Sequence, residues 1–262
     1  MVGRPMLRRL SVAVLLFASS SLHHLAIAEP APGATHGPAA HGAAQPPIDC
    51  PLEKRGVSAD SLHPFADTEE YIEFLERPDR ASWQKPDEVV SALHLRGNET
   101  LVDVGAGSGY FTFRLARALP RGRVIAVDVQ PEMVRHIHHR VMTEGIANVQ
   151  AVLADPSDPN VDASADVVFI ADVIHHVRAR EAWLRRMFAE MRPGAELVVI
   201  EFKEGNLPQG PPEAVKIPRA RLTAIIRDAG FVLGSEDPKL LPYQTFLVFR
   251  KPASSRVTTS PK

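Results

Sequence analysis

A single cysteine, Cys50, among 262 residues excludes any internal disulfide, whatever the redox state of the compartment. It equally excludes a thiolate pair or trio of the kind that holds soft metals or metalloids. Aromatic residues are scarce at 6%, and no uninterrupted apolar run reaches the roughly 20 residues that a membrane span requires. Positive charge is not in excess: 30 Lys and Arg stand against 31 Asp and Glu, a formal charge of −1. Phosphate backbones are bound by clustered Lys and Arg, so this balance argues against a nucleic-acid partner. What is present is ordinary for a globule, 45% apolar and 23% charged. The length suits one α/β domain with additions at its ends, able to bury roughly 70% of the surface of the unfolded chain.

The additions are compositionally distinct. Residues 1–28 carry Arg4, Arg8 and Arg9 with no acid, then an apolar stretch over 12–18, then the small-residue end Ala26-Ile27-Ala28. That order is the order of a cleavable export signal, which makes a periplasmic or secreted location the expectation. Its apolar part is broken by Ser19 to Ser21 and by His23-His24, so no stable membrane span is expected after cleavage. Without these residues 27 basic side chains face 31 acidic ones. Residues 29–60 open with a segment rich in Ala, Pro and Gly that cannot bury enough apolar surface to order itself. His36 and His41 lie in it without ligand spacing and read as solvated linker. The Ser-, Thr- and Pro-rich residues 252–262 read as a disordered tail.

Residues 61–98 are expected to form helices. Tyr71, Phe74 and Leu75 recur at helical spacing, Pro78 breaks the run, and Pro86-Asp87-Glu88 opens a second helix through Leu95. From Thr100 onward apolar runs alternate with amphipathic ones, which requires crossover connections and a mostly parallel sheet. Strands are expected over 101–104, 124–127, 149–153, 167–171, 196–201, 231–235 and 243–249, and helices over 111–119, 132–144, 179–191 and about 219–229. The last two strands follow each other with no room for a helix, so they pair antiparallel or leave the sheet. The basic run Arg135 to Arg140 falls mid-helix and reads as a solvated face.

The most informative residues are Leu101-Val102-Asp103-Val104-Gly105-Ala106-Gly107-Ser108-Gly109. They describe a buried strand turning into a loop where backbone approaches a ligand with no Cβ in the way. A dinucleotide fingerprint wants its third glycine three residues after the second, where this chain has Tyr110. Acid-x-Gly-x-Gly-x-Gly instead resembles the first motif of class I S-adenosylmethionine-dependent methyltransferases. The segment Glu76 to Pro86, the run Arg192-Pro193-Gly194 to Glu201, and the closing stretches Ala229-Gly230-Phe231 and Leu241 to Arg250 are similar to that family as well. The resemblance spans roughly residues 62–250. It implies a doubly wound, seven-stranded, mostly parallel sheet with an antiparallel last strand over 99–251, and S-adenosyl-L-methionine as cofactor. It also implies leading helices over the cofactor cleft, with Trp83 and Tyr71 as lid residues or helix-face packing.

Site residues follow partly from position and partly from the resemblance. Asp128 ends the second strand, where a carboxylate can accept two hydrogen bonds from a ribose diol. Val129, directly after it, is a further candidate for cofactor binding. The resemblance gives Asp103 the ammonium of the cofactor, a role for an anion that would repel a pyrophosphate at the same loop. Gly105, Ala106, Gly107 and Gly109 form the cradle, Asp155 takes the adenine amine or merely forms the turn before Pro156, and Asp172 lies at the fourth strand's exit, on the cofactor side. His175 and His176, directly after it, are candidates for the general base, or else one caps the following helix and the other packs. No Asn/Asp-Pro-Pro-aromatic run occupies that exit, which disfavours methylation of adenine or glutamine amino groups.

The function expected is methyl transfer to a small-molecule or lipid acceptor. A non-catalytic adenosyl-binding protein on the same fold and a nicotinamide oxidoreductase are the alternatives. The cofactor is made in the cytosol, so a cytoplasmic location stays open beside the exported one.

Overall fold

A computed structural model describes residues 65–253. The expected export signal, the linker with Cys50, His36 and His41, and the tail beyond Ala253 lie outside the described residues. Three helices lead: α1 (Phe65–Glu76), α2 (Arg80–Gln84) and α3 (Pro86–Ala92). Seven strands and four helices then alternate: β1 (Thr100–Val104), α4 (Thr112–Ala118), β2 (Arg123–Asp128), α5 (Pro131–Glu144), β3 (Val149–Leu153), β4 (Val167–Ala171), α6 (Arg180–Glu190), β5 (Glu196–Phe202), α7 (Arg219–Asp228), β6 (Val232–Glu236) and β7 (Gln244–Arg250). The sheet order is β3-β2-β1-β4-β5-β7-β6, with β7 running against its neighbours. This is the doubly wound, mostly parallel sheet expected from the alternation, with its antiparallel last strand inserted between β5 and β6.

The strands read as unbroken apolar runs because both faces are covered. Along β1 and β2, Val102, Val104, Ile125 and Val127 face Leu184, Met187, Leu222 and Ile226 of α6 and α7. Leu101, Val124 and Ala126 face Val89, Leu115, Val134 and Ile137 of α3, α4 and α5. The period-two alternation along each strand thus sorts side chains between two cores rather than between core and water. The order reverses at β1 and β4, which pair in parallel at the centre, and in such sheets the carboxyl edge at the reversal is where ligands bind.

Three expectations need correction. The helix foreseen through Leu95 ends at Ala92, because the chain tightens through Leu93 and enters the left-handed region at His94 (φ 49°) before turning into β1. Pro78 stops α1, yet one further helical turn, α2, forms before Pro86. The basic run on α5 is not a fully solvated face. Ile137 is buried within it, and Arg140 lies 4.0 Å over the Phe113 ring while pairing with Glu144 at 2.6 Å; only His139 is exposed.

Ahead of β1, the buried Glu99 carboxylate accepts the backbone N–H groups of Arg96, Gly97 and Asn98 and the Arg96 Nε, all at 2.9–3.1 Å. Burial disfavours its charge, but these donors outweigh burial and bring its pKa to about 2. The strand that carries the glycine loop is fixed at its entry by this anchor.

Candidate active site

The glycine loop is stitched to the neighbouring strand before any ligand is considered. Gly105 and Ala106 both donate their N–H to the Val127 carbonyl, at 2.8 and 3.0 Å. Gly107 donates to Oδ2 of Asp128 at 2.8 Å, and Gln130 to Oδ1 at 2.9 Å. Burial pushes the Asp128 carboxyl up, opposed by those N–H groups, and each oxygen keeps a lone pair for a further donor. The residues expected to touch an adenosyl ribose and to cradle it are therefore one hydrogen-bonded unit. Val129, next along, is exposed at the strand end. Ala106 is buried in the loop's underside, and Gly109 has φ +84° with the Phe113 ring 2.5 Å from where a Cβ would lie.

Asp103 lies beneath the loop, 3% exposed, with Oδ2 accepting the Thr112 hydroxyl at 2.6 Å. Burial drives its pKa up to about 7, against the Thr112 hydrogen bond and with a smaller push from Asp128. A carboxylate this costly to ionise is matched by a ligand that brings positive charge.

The leading helices lie over the loop. Leu75 of α1 sits 3.5 Å from where a Gly107 Cβ would be, and Glu76 accepts the Ser108 hydroxyl at 2.9 Å. Of the two aromatic residues considered for the lid, Trp83 packs, its ring 5.9 Å from Phe202 and 6.3 Å from Tyr243. Tyr71 is exposed and stacked on Phe74 at 6.4 Å. Asp155 is exposed beside the exit of β3, and its Oδ1 accepts both N–H and hydroxyl of Ser157, the turn-forming role.

The exit of β4 carries the paired histidines beside Asp172. Asp172 adopts a left-handed backbone (φ 61°), and its carboxylate accepts the amides of Gln84 (2.9 Å) and Gln244 (2.7 Å to each oxygen). Burial and the nearby Glu201 raise its pKa to about 7. Two protein amides thus hold the Asp172 carboxylate in place at the strand exit. His175, in the 3-10 turn Ile174–His176, is buried with Nδ1 2.8 Å from Oε2 of Glu201. Its burial works against charge, but the Glu201 hydrogen bond and the charges of Glu201 and Asp172 outweigh it, so the pKa is raised. His176 is exposed, its ring 4.1 Å from that of His175, and partial burial plus the charge of His175 lower its pKa.

Sequence reasoning missed Glu201, Gln84, Gln244, Arg80 and Thr112. Arg80 joins the cluster through Oε1 of Gln84 and lies 4.0 Å over the Tyr110 ring. A signal existed for Glu201, an acid inside the apolar run Leu197 to Phe202. None existed for the two glutamines, which meet Asp172 from 88 and 72 residues away in the chain.

The sheet order, the glycine loop after β1 and the acids at the exits of β1 and β2 define a class I methyltransferase fold. Residues 101–194 match the model of a methyltransferase domain. The chain is 26% identical to a SAM-dependent methyltransferase from Aquifex aeolicus, with TM-score 0.65 over 70% of this chain and 97% of that one. It is 35% identical over 116 residues to the ubiquinone/menaquinone biosynthesis C-methyltransferase of Ectopseudomonas mendocina, covering 43% of this chain and 45% of that protein. It is 31% identical over 102 residues to the malonyl-[acyl-carrier protein] O-methyltransferase of Hahella chejuensis, covering 38% and 35%. The chain thus spans less than half the length of these curated relatives.

The residues present fit the cofactor: a buried carboxyl that gains from a cation, a second carboxylate at the end of β2, and a loop between them whose three glycines all have positive φ, with no space for a Cβ at Gly105 or Gly109. Asp128→Ala is expected to weaken S-adenosylmethionine binding at least tenfold, about 1.4 kcal/mol or more, because the same side chain also holds the Gly107 amide. Titration calorimetry checks it, and unchanged affinity removes Asp128 from the site.

Proposed function

We propose that this protein transfers the methyl group of S-adenosylmethionine to a small-molecule or lipid nucleophile. The observation that carries the reading is the buried Asp103 beneath the glycine loop, a carboxyl whose ionised form gains from a cationic amino-acid tail and loses beside a pyrophosphate. The curated relatives, a ubiquinone/menaquinone biosynthesis C-methyltransferase and a malonyl-[acyl-carrier protein] O-methyltransferase, support acceptors of that class.

The bound cofactor supplies an electrophilic methyl group; the rest is done by the chain's own residues. Asp103, Asp128 and the loop over 105–109 hold and orient it. His175, whose pKa Glu201 raises against burial, is the poorer base of the two, while partial burial and the charge of His175 keep the neighbouring His176 below the ordinary histidine value. His176 is therefore the residue that takes the acceptor's proton, at its ring nitrogen. Gln84 and Gln244 fix Asp172 at the head of the turn that carries both histidines. Leu75 and Glu76 of α1 cover the loop and limit access of water.

The test is calorimetry of the full chain with S-adenosylmethionine and its demethylated product, followed by transfer of radiolabelled methyl to a panel of phenolic, enolic and lipid acceptors. Binding with transfer supports the reading. Binding without transfer to any acceptor favours a non-catalytic adenosyl-binding protein, and stabilisation by NAD or NADP alone overturns both. We also propose residues 1–28 as an export signal, which the N-terminal sequence of the mature protein checks.

A further inference from the structure

The acid beneath the loop has one hydrogen-bond donor among the described residues. Thr112, the first residue of α4, is fully buried and places its hydroxyl 2.6 Å from Oδ2 of Asp103. Around that pair stand Asp128 from β2, which resists ionisation of Asp103, and Arg80 from α2, which favours it. The core beneath is apolar, with Leu115, Ala126 and Phe169 buried nearby in the same cluster. Asp103 is the one group among the described residues that the Thr112 hydroxyl bonds, and it stays aimed at that carboxylate. A hydroxyl that donates stabilises the anion far more than the neutral acid.

We propose that Thr112 is a positioning residue for the cofactor: its hydroxyl occupies Oδ2 of Asp103, orients the carboxylate and leaves Oδ1 to the ligand's ammonium group. The inference rests on the cofactor reading above. Cofactor uptake by a neutral Asp103 releases its proton to solvent, so binding weakens as pH falls below about 7, the pKa of the free acid. Thr112 sets where that weakening begins, because its hydrogen bond opposes the effect of burial. Without it the free acid titrates higher, and the affinity loss starts at a higher pH.

The experiment is titration calorimetry of S-adenosylhomocysteine against the full chain between pH 5.5 and 8, with wild type, Thr112→Val, Thr112→Ala and Thr112→Ser. For a displacement of about one pH unit, the Val and Ala variants lose about tenfold in affinity at pH 6 but only about twofold at pH 8. Thr112→Ser restores the wild-type profile, and proton release per ligand at pH 6 stays near one in every variant that binds. An equal loss at every pH, or no loss, overturns the proposal, because a merely structural role moves the affinity without moving its pH midpoint. If Thr112→Val does not fold, as judged by circular dichroism, Thr112→Ala carries the same expectation without added bulk. Failure of the wild type to bind the ligand at any pH overturns the cofactor reading itself.

Discussion

Gly105→Ala is expected to destabilise the protein by about 2–5 kcal/mol and to reduce methyl transfer more than stability alone requires. Two independent costs meet at this residue. Its φ of +73° lies in the left-handed region, where an alanine costs about 1–2 kcal/mol. A Cβ there also falls 2.3 Å from Cγ2 and 3.1 Å from Cγ1 of Val173, and such overpacking costs about 1–3 kcal/mol. The clash has a functional direction, because Val173 leads into the turn that carries His175 and His176. Pushing it away moves that turn off the cofactor loop. Val173→Ala in the same chain removes both methyl groups and is expected to return the steric part while leaving the backbone part. Urea unfolding of the two single variants and the double variant measures this coupling. Strict additivity of the two substitutions sinks the steric account.

The strands were legible because a sheet covered on both faces writes itself as apolar runs, and five parallel strands were placed to within two residues. The glycine loop was legible for a local reason too: nine consecutive residues carry strand, acid and turn together. Helix α2 was not, since a single turn between Pro78 and Pro86 has no period to detect. The exit of β4 was legible only in part. His175 and His176 stood out as a pair, but what distinguishes them is Glu201, 26 residues on, which touches one ring and not the other. Gln84 and Gln244 carry no charge and no motif, and become functional only when the fold sets an amide on each side of Asp172. Contacts between elements, rather than patterns within them, decide which polar residues form the site.

His176→Ala is expected to lower kcat by about 10²–10⁴-fold at pH 7.5, the range that loss of a positioned general base produces, with cofactor affinity unchanged. The two rings are only 4.1 Å apart, so their protonation is coupled. Against burial, the Glu201 hydrogen bond raises the pKa of His175, while partial burial and then the charge of His175 lower His176 below the ordinary histidine value of 6.5. At saturating cofactor, kcat then falls with pH only below 6.5, as His176 takes up a proton and ceases to be a base. Glu201→Gln removes the group that raises His175, so His175 titrates lower, and the loss of its charge, a larger influence on His176 than the direct pull of Glu201, lets His176 titrate higher. The acidic limb of kcat therefore moves to higher pH in Glu201→Gln, and it disappears in His176→Ala along with most of the rate. A kcat unchanged in His176→Ala assigns the proton to solvent and leaves the site only the task of alignment, which in-line methyl transfer can accept as its main catalytic term. A loss in Glu201→Gln that is uniform across pH shows instead that Glu201 merely holds the turn in place.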